Sequence, residues 1–419
     1  LSQDDRSRLN AYGTRDRREG VRSFYARMPY PAPLTSLDQH GDLYKNQDRR
    51  RAHYHLMWPT EPLRGHQEIL VAGCGTSQAA RYALREPDAR VTAIDISDTS
   101  LRYTRELQRK YQLENLELHK LSIENVTELG RTFDHVVCTG VLHHLPDPDE
   151  GLRALRRVLR PRGAMHLMVY ALYGRTGIYM MQEYCRLLGV TGSDGDLRDL
   201  GELLHNLPAS HPVAGVMRGA VDINYPDALA DALLHPNDRA YTVPQLHTWL
   251  ERCGMSFGRW VEQAPYLPQC GMVAKTPHAG RLASLPEPQQ HAAVELLRGT
   301  MFRHNVIAYR DDRTGVKRID FIGDGWRTFV PIAVPWTVCV RERVPPGSVA
   351  VLINQAHVFT DLVLTVDAFE NRLLGAINGT RTLGDIVSRS AADRDEARAL
   401  NFFKRLWQYD QVVFDASAG

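Results

Sequence analysis

The stretch that decides the fold reads Ile-Leu-Val-Ala-Gly-Cys-Gly-Thr-Ser at residues 69–77. Its apolar half predicts a buried strand, and the Gly-x-Gly predicts a turn whose bare main chain can approach a ligand closely. A second apolar strand, residues 91–94, ends in an acid, Asp95, twenty residues after Gly75. A carboxylate there can accept both hydroxyl hydrogens of a ribose. Together these features predict a nucleoside-binding crevice at the carboxyl edge of a parallel sheet.

The spacing after the turn bears on which nucleoside is bound. A dinucleotide site needs a third glycine three residues after Gly75, where this chain has Gln78. The segment instead resembles the first motif of class I S-adenosylmethionine-dependent methyltransferases, with Val71 in place of the usual acid and Ser77 in place of a third glycine. This run, and Met-Pro-Tyr-Pro at residues 28–31, are similar to a branch often fused to tetratricopeptide repeats, although no such repeat is apparent.

This resemblance covers roughly residues 66–172 and implies S-adenosylmethionine as the cofactor. Ser122 stands where the family usually has an Asp near adenine, so that contact would pass to backbone or to Glu124. The positions that the resemblance assigns to the cofactor are Gly73, Cys74, Gly75, Asp95, Ile96, Ser122, Ile123, Thr139 and Gly140.

The predicted fold is α/β: a doubly wound, seven-stranded Rossmann-like methyltransferase sheet with a helical insertion and a small C-terminal winged-helix-like domain. The resemblance implies that the last two strands are antiparallel. Residues 160–163 are predicted to form a turn, and residues 282–297 a helix broken early by proline. Thr242 is a predicted helix N-cap.

The predicted domain boundaries follow from shifts in composition. They are an N-terminal helical segment at 1–60, a methyltransferase domain at 61–310 with a helical substrate insertion at 171–253, a linker at 311–325, and a C-terminal domain at 326–419. Residues 374–386 resemble PqqD-like domains, which bind peptides in some ribosomal peptide pathways. A peptide-binding role and a dimerisation role for this domain both remain open.

The acceptor chemistry is less sharply defined by the sequence. A general base is needed only if the acceptor arrives protonated. The candidate catalytic residues are His143, which follows the fourth strand, and Tyr170 and Glu183, which follow the fifth. A structural role for His143 is the alternative. The candidate substrate residues are Tyr30, His235, Tyr241 and Tyr266.

Composition excludes several classes of protein. The 419 residues carry a formal net charge of only +2, so no overall field would attract nucleic acid. The six cysteines include no Cys-x-x-Cys pair, which favours a reducing cytoplasm and predicts no metal site. No apolar run is long enough for a membrane span. We therefore expect a soluble, cytoplasmic protein with neither nucleic acid nor membrane as partner, and a homodimer is allowed.

The sequence thus predicts in-line methyl transfer to an oxygen or nitrogen of a small molecule or peptide, in secondary metabolism or ribosomal peptide modification. Two alternatives stay open: a catalytically silent nucleoside-binding protein, and a nicotinamide-dependent oxidoreductase. A nucleic-acid methyltransferase is disfavoured because Gly-Val-Leu-His follows the fourth strand at residues 140–143, where an Asn/Asp-Pro-Pro-Tyr type motif is expected.

Overall fold

The computed structural model describes residues 31–38, 46–219, 225–314, 318–390 and 395–418. Tyr30 and most of the predicted N-terminal helical segment lie outside these residues. The described chain forms two compact units, neither of them continuous in sequence. The first contains residues 31–38, 66–258 and 298–312, and the second contains residues 46–65, 259–297 and those from 313 onward.

The strands are numbered in chain order. They are β1 (Glu68–Ala72), β2 (Arg90–Asp95), β3 (Leu116–Lys120), β4 (Phe133–Thr139), β5 (Leu159–Ala171), β6 (Ala240–Tyr241), β7 (Met255–Trp260), β8 (Arg303–Arg310), β9 (Val330–Ala333), β10 (Thr337–Val340), β11 (Ala350–Asn354), β12 (Val363–Val366) and β13 (Val412–Asp415).

The α-helices are numbered in the same way. They are α1 (Gln47–Met57), α2 (Gln78–Arg85), α3 (Asp98–Lys110), α4 (Pro148–Val158), α5 (Thr176–Leu188), α6 (Asp194–Asn206), α7 (Pro212–Gly219), α8 (Pro226–Leu234), α9 (Val243–Arg252), α10 (Ala279–Ala283), α11 (Glu287–Arg298), α12 (Ala368–Ala376), α13 (Leu383–Ser390) and α14 (Glu396–Gln408).

A large central sheet organises the first unit. Its strand order is β3-β2-β1-β4-β5-β8-β7, and the two-residue strand β6 also pairs with β5. The pairs from β3 to β5 are parallel, whereas β8 runs antiparallel to β5. Strand β1 is almost wholly buried, as expected of a central strand covered on both faces. The predicted Rossmann-like methyltransferase sheet is confirmed, with β6 as an addition.

The turn predicted at residues 160–163 is wrong in its form. Strand β5 continues through these residues, and the pairing with β4 jumps from Phe133↔Leu159 to His135↔Ala164. The extra residues of β5 interrupt the regular pairing with β4, as the extra residue of a β-bulge does. Gly163 is required there, because a Cβ would lie 2.9 Å from the carbonyl oxygen of Asp134.

Register brings the ends of the parallel strands to one edge. Ala72 at the end of β1 pairs with Ile94, one residue before Asp95. Thr139 at the end of β4 pairs with Met168, and β5 ends three residues later. The glycine turn, Asp95, Thr139 and Tyr170 therefore follow or close neighbouring strands at one edge, where open α/β sheets bind ligands.

Four helices, α5 to α8, lie between β5 and β6 in the chain. They enclose their own apolar cluster, which includes Ile178, Leu200 and Leu229. The next helix, α9, begins at the predicted N-cap. The Thr242 hydroxyl accepts the N–H of Gln245, whose side chain accepts the N–H of Thr242, so a capping box confirms that prediction.

The second unit contains smaller sheets and helices. Strands β10, β11 and β12 form an antiparallel sheet, and β9 pairs antiparallel with β13. A core of buried side chains, including Phe402, Phe403 and Phe414, joins these strands to α12, α13 and α14. The helix predicted over 282–297 is two helices, because Pro286 and Pro288 separate α10 from the body of α11. The winged-helix and PqqD-like assignments stay predictions.

Within the described residues, no helix combines the length and the apolar character needed to cross a bilayer.

Candidate active site

The glycine turn after β1 is shaped by two requirements that only glycine meets. Gly73 and Gly75 have φ values of +70° and +56°. The N–H groups of Gly73 and Cys74 both donate to the carbonyl of Ile94, at 2.9 and 3.0 Å, which ties the turn to β2. A Cβ on Gly73 would lie 2.5 Å from Cγ2 of Val141. The turn therefore packs so closely against Val141, in the loop after β4, that it leaves no room for a side chain at Gly73.

Asp95 holds this turn from the neighbouring strand. Its Oδ2 accepts the N–H of Gly75 at 2.9 Å, and its Oδ1 accepts the N–H of Ser97 at 2.8 Å. Burial raises the pKa of this carboxyl, and the backbone donors at Ser97, Gly75 and Ile96 oppose the rise. A carboxylate offers about four acceptor positions. Asp95 is only half-buried, so the remaining positions can accept the two hydroxyl groups of a ribose.

Residues beside Asp95 complete the cofactor side of the crevice. The N–H of Leu121 donates to the carbonyl of Asp95 at 3.1 Å, which places Ser122 and Ile123 next to the end of β2. Ile123 is buried, while Ser122 and Ile96 are half-buried. These residues fit an adenosyl group: a carboxylate for the sugar, an apolar side chain for the base, and open main chain for the amino-acid tail.

The fourth strand ends beside the glycine turn, at the same edge of the sheet. The amide of Gln78 donates to the Thr139 hydroxyl at 2.7 Å. Gly140 has φ +78°, and its N–H donates to the carbonyl of Met168 at 3.1 Å. The Thr76 hydroxyl donates to the carbonyl of Pro31 at 2.8 Å, so residues before the sheet contact the glycine turn. The sequence did not predict these contacts of Gln78 and Thr76, because no local pattern indicates them.

The two cysteines of these motifs serve packing. Cys74 and Cys138 are buried, and burial raises the pKa of both thiols. A buried thiol with a raised pKa is not a nucleophile at neutral pH. Among the described residues all six cysteines are free, and Cys339 is exposed.

His143 and Tyr170 meet beside the ends of β4 and β5. Their ring centroids are 4.0 Å apart, and His143 is fully buried. Within the described part of the chain, neither ring nitrogen of His143 has a hydrogen-bond partner. Burial is the main cause that lowers the pKa of His143 well below its ordinary value, and the neighbouring His144, Arg175 and His235 lower it further. The imidazole is therefore neutral at pH 7, and one of its ring nitrogens carries a lone pair that can accept a hydrogen bond.

A second pair of histidines lies against the first. The rings of His144 and His235 are 3.9 Å apart, and both side chains are buried. The carbonyl of Asn237 accepts from Nδ1 of His144 at 2.7 Å, and the N–H of Asn237 donates to Nδ1 of His235 at 3.0 Å. Asn237 thus selects opposite tautomers for the two rings: the ring proton lies on Nδ1 in His144 and on Nε2 in His235. Burial lowers the pKa of His144 to about 4 and that of His235 to about 3.

Charged side chains surround these rings. Arg175 pairs with Asp238 at 2.7 Å, and its guanidinium lies 3.5 Å from the centre of the Tyr170 ring. The Tyr170 hydroxyl donates to Asp231 at 3.2 Å. We call the group His143, His144, Tyr170, Arg175, Asp231, His235 and Asp238 the histidine cluster.

The sequence singled out only some members of this cluster. Arg175 and Asp231 were missed, because each is brought to the strand ends by the folding of the helices between β5 and β6. An Arg in a short turn and an Asp on a helix are ordinary residues in those contexts. His235 was predicted to contact substrate and does lie in the cluster.

The other predicted acceptor residues are dispersed. Glu183 is exposed on α5, where it pairs with Arg186. Tyr241 lies in β6 with its ring stacked on Trp249, 5.0 Å between centroids. Tyr266 belongs to the second unit, where it is buried and stacked on Trp260 at 3.8 Å. Tyr30 lies outside the described residues.

Comparison with known proteins gives the class. Residues 70–165 match a family described as a methyltransferase domain. PKMT2 from Rickettsia typhi, solved with AdoHcy, superposes with a TM-score of 0.62 at 16% identity, over 88% of this chain and 75% of that one. Together with the sheet order and the glycine turn, these findings show that the chain has the fold of class I S-adenosylmethionine-dependent methyltransferases.

Longer sequence similarity identifies the family within that class. The chain is 33% identical over 287 residues to the uncharacterized protein syc1184_c of Synechococcus, covering 67% of this chain and 68% of that protein. The chain belongs to the same family as that cyanobacterial protein. A shorter match, 33% identical over 98 residues, is to the ubiquinone biosynthesis O-methyltransferase of Albidiferax ferrireducens, and it covers 23% of this chain and 38% of that protein.

Proposed function

We propose that the protein transfers a methyl group to an oxygen or nitrogen atom of a small-molecule or peptide acceptor bound beside the histidine cluster. The observation that carries this proposal is the fully buried His143, whose ring nitrogens have no hydrogen-bond partner among the described residues. An unsatisfied buried polar group costs about 1–3 kcal/mol. Such a group beside a cofactor crevice is explained if an acceptor supplies its partner.

The residues of the crevice have separate roles in the proposed methyl transfer. When bound, S-adenosylmethionine supplies a methyl group already activated on a sulfonium. Asp95 accepts hydrogen bonds from the ribose, and the glycine turn leaves main chain open to the amino-acid tail. Thr139 and Gly140 close the side that faces the acceptor. In-line transfer needs the acceptor lone pair about 3 Å from the methyl carbon, so positioning is the principal task of the protein.

His143 is proposed to take the acceptor's proton. A neutral imidazole has one lone pair, and the pKa of His143 lies below neutrality, so this lone pair is present at pH 7. A hydroxyl or a phenol loses its proton as its oxygen bonds to the methyl carbon, and a protonated amine must lose one proton before its nitrogen can attack; this ring nitrogen is the proposed acceptor of that proton. Tyr170, whose ring centroid lies 4.0 Å from that of His143, would pack against the acceptor. The partial match to an O-methyltransferase supports oxygen as the first acceptor to test.

The test uses the full chain, labelled S-adenosylmethionine, and a panel of catechols, phenols, hydroxy acids, amines and short peptides. We expect label transfer to one class and binding of S-adenosylmethionine but not of NAD in calorimetric titration. His143→Ala should lower kcat about 100-fold or more and leave the Kd for the cofactor unchanged. His205→Ala, on the exposed face of α6, is the matched control and should change neither.

Two outcomes would count against the proposal. Cofactor binding without transfer to any class in the panel would favour a catalytically silent binding protein. A His143→Ala enzyme with unchanged kcat, and with an unchanged dependence of rate on pH, would remove this residue from the chemistry.

A further inference from the structure

We propose that His144, Asp231 and His235 bind one divalent transition-metal ion, with zinc as the first choice. The three residues offer ligand atoms that all lie within 4.8 Å of one another, and all three are buried. They come from two regions: His144 follows β4, whereas Asp231 lies on α8 and His235 directly after it. The fold, rather than a local sequence motif, brings them together.

The donor set suits such an ion. Imidazole nitrogen together with a carboxylate oxygen is typical of zinc and of iron, cobalt or nickel. Three protein ligands with an open fourth position are the arrangement of zinc sites that do chemistry. Ligands about 2.1 Å from a tetrahedral ion lie about 3.4 Å apart, so movements of about 1 Å would close these residues on the ion.

His144 is already oriented as a metal ligand. Its Nδ1 donates to the carbonyl of Asn237 at 2.7 Å, which leaves the lone pair on Nε2. Metal-binding histidines characteristically donate their second ring nitrogen to a carbonyl or carboxylate, which fixes the tautomer and the ring plane. The tautomer that this hydrogen bond selects is therefore one that leaves Nε2 able to bind an ion.

His235 would exchange one contact on binding. Its Nδ1 accepts the N–H of Asn237 at 3.0 Å. An ion at Nδ1 replaces that hydrogen bond directly, and an ion at Nε2 moves the ring proton to Nδ1 and breaks it. Binding thus breaks the hydrogen bond from the N–H of Asn237, and the loss of this bond can be followed separately from the ion.

The charge of the cluster also favours a cation. The cluster contains two carboxyl side chains, Asp231 and Asp238, and one guanidinium, Arg175. Oδ2 of Asp238 accepts from Arg175 and Gln182, whereas its Oδ1 has no hydrogen-bond partner among the described residues. Burying carboxylates is costly, and a divalent ion bound beside them would offset part of that cost.

The site lies beside the acceptor position proposed above but does not depend on it. An open coordination position next to Tyr170 could hold an acceptor oxygen, which would add oxygen-bearing acceptors to those that the cluster recognises. The binding itself requires neither cofactor nor acceptor. It can therefore fail or succeed separately from methyl transfer.

The experiment titrates chelator-treated full-length protein with Zn²⁺, and with Co²⁺ as a spectroscopic probe, in the absence of cofactor. We expect one equivalent of either ion, a visible Co²⁺ absorption band, and a rise in Tm that depends on metal concentration. His144→Ala should weaken Zn²⁺ binding at least about 100-fold, beyond the effect typical of losing an outer-shell partner.

Two further variants make the result decisive. Asp231→Asn keeps an acceptor for the Tyr170 hydroxyl, so it tests the carboxylate if His144→Ala fails to fold. His205→Ala, at an exposed histidine of α6, should bind as the wild type does. The proposal is overturned if the wild type binds neither ion, or if His144→Ala and Asp231→Asn bind with unchanged affinity and stoichiometry.

Discussion

Gly73 meets two separate requirements at the residue scale: a positive φ and the absence of a side chain. Gly130 matches it in the first respect only, with φ +62° and no atom within 4 Å of the point where a Cβ would lie. Alanine at Gly130 should cost about 1–2 kcal/mol for the left-handed conformation. Alanine at Gly73 adds contact with Val141, and this overpacking should cost a further ~1–3 kcal/mol.

The two glycine variants are compared by urea unfolding and by titration with S-adenosylmethionine. We expect Gly73→Ala to be the less stable and to bind the cofactor more weakly, and Gly130→Ala to bind it normally. Equal losses of stability would show that Val141 moves aside at little cost. Adding Val141→Ala to Gly73→Ala should restore part of the lost stability.

Single residues differ in how far the sequence reveals them. The turn and Asp95 could be predicted because their role follows from their place after short, strongly apolar strands. Arg175 and Asp231 could not, because their role depends on how α5 and α8 pack. Glu183 was predicted to be catalytic from its position on a helix after β5, but the period of α5 places it on the exposed side.

At the scale of the secondary-structure elements, contacts between helices determine whether alanine in place of glycine stabilises or destabilises the protein. Gly177, at the start of α5, lies against α7, and a Cβ there would be 2.3 Å from the backbone nitrogen of Val213. Gly201, inside α6, has no atom within 4 Å of the same position. Gly201→Ala should stabilise the protein by up to about 1 kcal/mol through helix propensity. Gly177→Ala should instead destabilise it by about 1–3 kcal/mol, because backbone cannot rotate away.

Thermal unfolding of these two variants, followed by circular dichroism, checks the prediction. The signs of the two shifts in Tm should be opposite. A gain in Tm for Gly177→Ala would mean that α5 and α7 separate easily.

Elements are predictable where local chemistry decides them. The capping box at Thr242 is local, and it was found. The residues 160–163 contain proline and glycine, which favour a turn, and they form an irregularity of β5 between the paired residues Leu159 and Ala164. Strand β6 has only two residues, too few for any alternation, and it is defined by its pairing with β5.

Buried histidines set the pH dependence of the whole molecule. The pKa values of His144 and His166 are lowered to about 4, mainly by burial. The unfolded chain takes up these protons near pH 6.5, so between pH 6.5 and 4 it binds more protons than the folded chain does. Stability is therefore fully present above pH 6.5 and falls as pH falls, by at most about 3 kcal/mol for each residue.

Urea unfolding in chelating buffer between pH 7.5 and 4.5 measures this dependence. His166 is half-buried, and its Nε2 lies 3.1 Å from Oδ1 of Asn305. His166→Gln keeps an amide donor there and should reduce the slope by one proton. A stability that is flat from pH 7 to 5 would contradict the prediction.

At the scale of the molecule, the sequence predicted the class of fold from about a hundred residues. It did not predict that each compact unit is assembled from several separate segments of the chain, since composition changes cannot show which distant segments pack together. Residues 259–297 contain no signal that separates them from the sheet that precedes them.

Asp95 connects three strand ends through two backbone donors to its carboxylate and one to its carbonyl. The same side chain that would hold the sugar also braces the walls of the crevice. A single mutation that removed this carboxylate would remove both the expected contact with the sugar and the two hydrogen bonds that hold the strand ends together. Within the family, we therefore expect the members that bind the cofactor to keep an acid at this position.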